Sequence, residues 1–196
     1  MATKVSLKKS DGKVALKKAT SRILKTIRLE FGWKASVSLD ADVSAFVLDG
    51  NQAMLGPEYL VFFHQKVSPD MAVMAGPDVR DGTGEKEKIF VNLDKVTDRA
   101  QEIAFILTID EDKSQSKHFG VLTEADVIIY DDETNDVLVE FKFDASTFQN
   151  GESLIHAASL FRGANGWEVQ GFATGTPGKD LTGAVTLFKG SLDWFA

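Results

Sequence analysis

The sequence predicts an all-β fold, a two-sheet β-sandwich with one or two short helices, and three observations carry that prediction. The first is period-two alternation, clearest where Val137, Val139, Phe141 and Phe143 interleave with Leu138, Glu140 and Lys142, and again at Ile103, Phe105, Leu107 and Ile109. Side chains two apart in an extended chain share a face, so such runs are strands with one face buried. The second is turn chemistry between runs, as in Asp49-Gly50-Asn51 and Asn165-Gly166. The third is the scarcity of helical periodicity, since only Leu93 to Gln101 and Asp180 to Lys189 have the composition for two or three helical turns.

Taken in order, strands are expected at Ile23 to Phe31, Ala45 to Leu48, Tyr59 to Phe63, Ile89 to Leu93, Ile103 to Ile109, Val127 to Tyr130, Val137 to Phe143, Leu154 to Arg162 and Trp167 to Phe172. Asp131 to Asp136 joins two of them as a polar hairpin turn with solvated acids. The aromatics Trp33, Trp167, Phe31, Phe46, Phe141, Phe143 and Phe161 are expected to fill the space between the sheets, and Trp194 and Phe195 to dock onto their own domain or else reach another subunit. The 196 residues are expected to form a single domain, with no repeat or linker dividing it.

Charge is unevenly spread. Residues 1 to 28 carry nine Lys or Arg against Asp11 alone, about +8, so within a net charge of -7 the remainder carries about -15. Residues 1 to 20 therefore read as a basic N-terminal arm or, because Val5, Leu7, Val14 and Leu16 flank Asp11-Gly12, as a first hairpin. The acidic body argues against general nucleic-acid affinity, leaving the arm as the part able to meet nucleic acid or an acidic protein surface, a neighbouring subunit included. Cysteine is absent, which removes disulfides, thiolate zinc sites and Cys nucleophiles and fits a cytoplasmic setting. No apolar run approaches the roughly 18 residues of a membrane helix, so no membrane insertion is expected.

Two acidic segments stand out as chemistry. Asp40-Ala41-Asp42-Val43-Ser44 places oxygens at alternate positions, and the stretch from Gly76 to Glu87 adds Asp78, Asp81, Glu85 and Glu87 among glycines. Carboxylates gathered closely repel unless a cation sits among them, and Ca2+ takes six to eight oxygen ligands of this kind. A solvated acidic loop is the plainer reading of the same spacing. The pattern is not an EF-hand. His64, His118 and His156 lack zinc-ligand spacing, and neither a Gly-x-Ser-x-Gly elbow nor a phosphate-cradling Gly-Lys-Ser/Thr loop is present, so no enzyme activity is expected.

These segments resemble the TerD family of tellurium-resistance and stress proteins. Asp40 to Ala45 followed by Phe46-Val47-Leu48 is similar to the family's Asp-x-Asp-x-Ser-Ala segment, and Asp78, Gly82, Thr83, Gly84, Glu85 and Glu87 to a shortened form of its Gly-rich acidic loop. His118-Phe119-Gly120, Glu140-Phe141, Leu160-Phe161-Arg162 and Gly166-Trp167-Glu168 extend the likeness from about Leu7 to Gly190. The resemblance implies a β-sandwich whose loops at one end hold Ca2+, carried here onto Asp40, Asp42, Asp78, Asp81, Glu85 and Glu87, in a binding or scaffold protein that engages a protein partner or itself. Pro77, Val79 and Lys86 depart from the family pattern. A lysine facing the ion would repel it, by roughly 4 kcal/mol for each pair of unit charges at about 4 Å and an effective dielectric near 20, which would leave one weakly held ion. The alternative is a structural subunit of a larger assembly, such as a phage particle, with a degenerate metal site.

Overall fold

The computed structural model describes residues 3–6, 13–16, 23–77, 79–80, 85–110, 114, 116–149 and 151–195. Its strands are β1 (Thr3–Ser6), β2 (Val14–Ala15), β3 (Thr26–Ala35), β4 (Ala41–Leu48), β5 (Leu60–Val61), β6 (Val73–Ala75), β7 (Val79–Arg80), β8 (Glu85–Asn92), β9 (Glu102–Ile109), β10 (Leu122–Asp131), β11 (Asp136–Phe143), β12 (Glu152–Gly163) and β13 (Gly166–Pro177). They form two sheets. One runs β1-β11-β10-β3-β8-β6 with β7 added beside β8, and the other runs β2-β13-β12-β9-β4-β5. Pairing is antiparallel except between β1 and β11. β5 lies against β6, so the sheets stack with β1 and β2 on the opposite side.

Alternation does the sorting that the sequence predicts. Ile27, Leu29, Phe31 and Trp33 of β3, and Val127 and Ile129 of β10, face Ala41, Val43, Ala45 and Val47 of β4 and Ile103, Phe105 and Leu107 of β9 in one apolar core between the sheets. Phe31 and Phe105 meet across that core with ring centroids 5.7 Å apart. The turn from Asp131 to Asp136 is as expected, with Asn135 at φ 60, in the left-handed region that Asn tolerates. Its first acid is not solvated, however. Asp131 is buried and accepts the Glu133 N–H, which serves the turn's own backbone.

Three further expectations are corrected. Leu93 to Gln101 is a series of turns rather than a helix, because distant side chains take its backbone groups. Arg162 donates to the carbonyls of Val96, Thr97 and Ala100, and Asp70 accepts the Thr97 N–H. The single α-helix described is α1 (Leu181–Leu187), started by Asp180, whose Oδ1 accepts from Gly183 N at 2.9 Å. Phe46 does not fill the space between the sheets. It packs with Leu48, Ala104, Ile106 and Leu154 on the outer face of the second sheet, beneath Ala184, Val185 and Phe188 of the α1 region. Phe161 likewise stays out of the central core, near Phe172. Trp194, expected to dock, is 41% exposed.

The basic N-terminus does not fold on itself as a hairpin. β1 joins β11 in one sheet and β2 joins β13 in the other. Among the described residues no helix is long and apolar enough to cross a membrane.

Candidate metal centre

The first acidic segment lies at the start of β4. Ala41, Val43, Ala45 and Val47 belong to the central core, so Asp42 falls on the outward face with Ser44 and Phe46. The register pairs Ala41 with Ile109 and Asp42 with Thr108. One step beyond, Asp40 stands opposite Asp110, whose N–H donates to Asp40 O at 3.0 Å. Ser114 holds the same residue, since its Oγ accepts from Asp40 N at 2.8 Å and donates to Asp40 O at 3.0 Å. Asp110 is therefore a third carboxylate of this end that sequence reasoning missed. The signal was present, because an acid directly follows the alternating run Ile103 to Ile109 and antiparallel pairing of two such runs brings their ends together.

The second segment enters β8 at Glu85, which pairs with Trp33, while Glu87 pairs with Phe31. Glu87 shares its face with the buried Ile89 and Val91, so it stands on the core side of its sheet. The Trp33 indole N–H donates to Leu39 O at 3.3 Å, which ties the start of β8 to the residue before Asp40. Both acidic segments thus reach one end of the sandwich. Gly76 has a packing reason of its own, since a Cβ there would lie 2.9 Å from the Phe90 ring and 3.0 Å from Lys88 Cβ. Asp78 and Asp81 lie outside the described residues, as does the side chain of Glu85. Among the described residues, no three His, Cys, Asp or Glu side chains converge closely enough to hold an ion.

Lys86 bears on the opposite face of the sheet from Glu87. It pairs with Gly32, beside Asp126, which also pairs with Gly32. Burial pushes the Asp126 carboxyl above its usual range and Glu140 adds to this, while Lys142 and Lys86 pull it back. The alternation of β8 therefore directs this lysine toward Asp126 rather than toward the side that carries Glu87.

A Ser–His–carboxylate contact lies elsewhere, beneath the α1 region. Ser159 Oγ donates to Glu102 Oε1 at 2.7 Å and lies 2.8 Å from His156 Nε2, and Gln52 Nε2 donates to Glu102 Oε2 at 3.3 Å. His156 stacks on Phe172 and meets Phe188 edge-on. Burial lowers its pKa to about 4, so the ring is neutral at pH 7. Ser159 is fully buried and Glu102 nearly so, which makes this a satisfied packing network. His64 is exposed against Phe63, and His118 Nδ1 is buried with no hydrogen-bond partner among the described residues.

The TerD domain model matches residues 3–188. The chain belongs to the TerD family. General stress protein 16U of Bacillus subtilis (strain 168) is 29% identical over 181 residues, covering 89% of this chain and 92% of that protein. Tellurium resistance protein TerD of Serratia marcescens is 28% identical over 182 residues, with the same 89% and 92% coverage. The crystal structure of a TerD homologue from Streptomyces coelicolor A3(2) superposes with a TM-score of 0.63 at 20% identity, over 86% of this chain and 99% of that one. This member of the TerD family thus shares its fold with that solved structure.

Proposed function

We propose that this TerD protein is a calcium-binding β-sandwich module that serves as a binding or scaffold protein in a cytoplasmic stress or tellurite-resistance response, and that it is not an enzyme. The observation that carries the reading is the meeting of acidic segments at one end of the sandwich, where β4 and β9 bring Asp40 beside Asp110 with Asp42 two residues on. The donors are all carboxylate oxygens, which suits a hard cation and not a thiolate or imidazole metal. The described carboxylates, Glu87 among them, do not form a cage by themselves, so Asp78, Asp81 and Glu85 would have to complete it. Calcium would neutralise this end and fix the acidic loops as a rigid surface for a partner. No catalytic role is assigned to the Ser159–His156–Glu102 contact, because the Ser159 hydroxyl is fully buried.

Melting curves in calcium and in chelator test the reading. An ion at 100 times its dissociation constant stabilises the fold by about 2.7 kcal/mol. The expected result is a calcium-dependent rise in Tm that is reduced in Asp42→Asn and in Asp110→Asn. An unchanged Tm, with no metal retained by the purified protein, would sink it.

A further inference from the structure

The N-terminal region contains one short sequence twice. Val5-Ser6-Leu7-Lys8-Lys9 and Val14-Ala15-Leu16-Lys17-Lys18 agree at Val, Leu and both Lys. The first copy contributes to β1 and the second to β2, yet the two strands enter different sheets. β1 pairs in parallel with β11, Thr3 opposite Val139 through Ser6 opposite Lys142, and β2 pairs antiparallel with β13, Val14 opposite Val169 and Ala15 opposite Glu168. With the prongs set aside, β11 and β13 would be the last strands of their sheets on the same side of the sandwich. The N-terminus is therefore a two-pronged clip over two sheet edges, and near-identical prongs serve a parallel and an antiparallel edge.

We infer that the clip also acts between molecules, with the prongs of one copy pairing with β11 and β13 of a second copy. Each contact that holds the clip is with the body and is the same whether that body belongs to its own chain or a neighbour's. Leu16 is buried in the central core and its N–H donates to Trp167 O at 3.0 Å. The Lys13 ammonium sits 3.7 Å from the centre of the Phe161 ring. Exchange thus changes only the connection to β3, and exchange of a terminal element is a low-cost route to dimers.

Charge favours a second copy as the occupant. The first 28 residues carry about +8 and the remainder about -15, so the arm of one molecule is drawn to the body of another at low salt. In the β1 register Lys4 falls opposite Glu140. The edges also need a cover, because β11 is an alternating strand without proline, and an open edge of that kind templates pairing with other chains.

The lack of cysteine makes the test clean. Ala15 is exposed and stands opposite Glu168, a spacing that antiparallel neighbours share with disulfides. Full-length A15C and E168C chains, one of them isotope-labelled, are mixed, unfolded, refolded together and oxidised in chelator and again in calcium. A15C mixed with S146C, at an exposed position away from β13, serves as the control. The expected result is several-fold more A15C–E168C hetero-dimer than A15C–S146C, rising with protein concentration, and a dimer of the unsubstituted chain by light scattering at high concentration and low salt. Equal yields of the two hetero-dimers, or a monomer at every concentration, would overturn the inference. Because it is run with and without calcium, its failure leaves the metal reading untouched.

Discussion

The outer faces of the two sheets follow opposite rules. On the β4-containing sheet, Phe46, Leu48, Leu60, Ala104, Ile106 and Leu154 are buried in one cluster with Met54 and the α1 region. On the β3-containing sheet, the same positions carry Arg28, Glu30, Lys34, Lys88, Glu124, Asp126 and Glu140, arranged in cross-strand pairs such as Lys88–Glu30 at 3.4 Å and Lys34–Glu124 at 2.8 Å. The covered face draws stability from apolar area, whereas the open face offers exchangeable charge contacts that water and salt weaken. Along β4 the cover also ends. Phe46 and Ser44 are buried, Asp42 and Asp40 are half-buried, and the acidic end begins where the apolar lid stops.

Phe188→Ala gives the largest effect, since its ring lies 4.9 Å from Phe46 and closes over His156. It should cost about 3 kcal/mol in urea unfolding, whereas Phe90→Ala on the open face should cost about 1 kcal/mol. Equal losses would break the contrast. The second prediction concerns pH. The folded pKa of His156 lies near 4 against 6.5 in the unfolded chain, so below pH 6.5 the unfolded chain takes up a proton that the folded chain refuses until about pH 4. Stability should therefore fall as pH drops from 6.5 to 4, by up to about 3 kcal/mol from this group. Subtracting the pH profile of His156→Gln from that of the unsubstituted protein isolates it, and superimposable profiles would refute the assignment.

Smaller effects sharpen the same contrast. Asp180→Ala removes the cap of α1 and should cost about 1 kcal/mol, read as a lower Tm and faster amide exchange over the covered face. Lys34→Ala should cost less than about 0.5 kcal/mol, because both members of its ion pair are more than half exposed. A loss as large as that of Asp180→Ala would mean that the charged face carries more stability than its exposure allows.

The open face explains why so much of the fold was legible. Where one face meets water, as in β3, β10 and β11, polar and apolar residues alternate and the strand announces itself along with its inward side chains. β4 is buried on nearly both faces, so its sequence reads as an apolar run and says nothing about α1 lying over Phe46. Leu93 to Gln101 misled for a different reason. Its helical composition was overridden by Arg162 and Asp70, which are remote in sequence and reach its backbone only after folding. At the candidate site, Asp40 and Asp42 were legible as a local pattern. Asp110 was missed although the acid at the end of the Ile103 to Ile109 run was visible, because its place beside Asp40 is set by the β4–β9 register. The facing of Lys86 was readable in principle from the alternation of β8, since Ile89 and Val91 define the core side and Lys86 falls on the other.

Calcium titration calorimetry, run on the unsubstituted chain and on the Asp40→Asn/Asp42→Asn/Asp110→Asn variant, tests the central claim most directly. Saturable heat with a defined stoichiometry in the first and none in the second is the predicted result. Heat of binding that survives removal of all three carboxylates, or none in either protein, would contradict it.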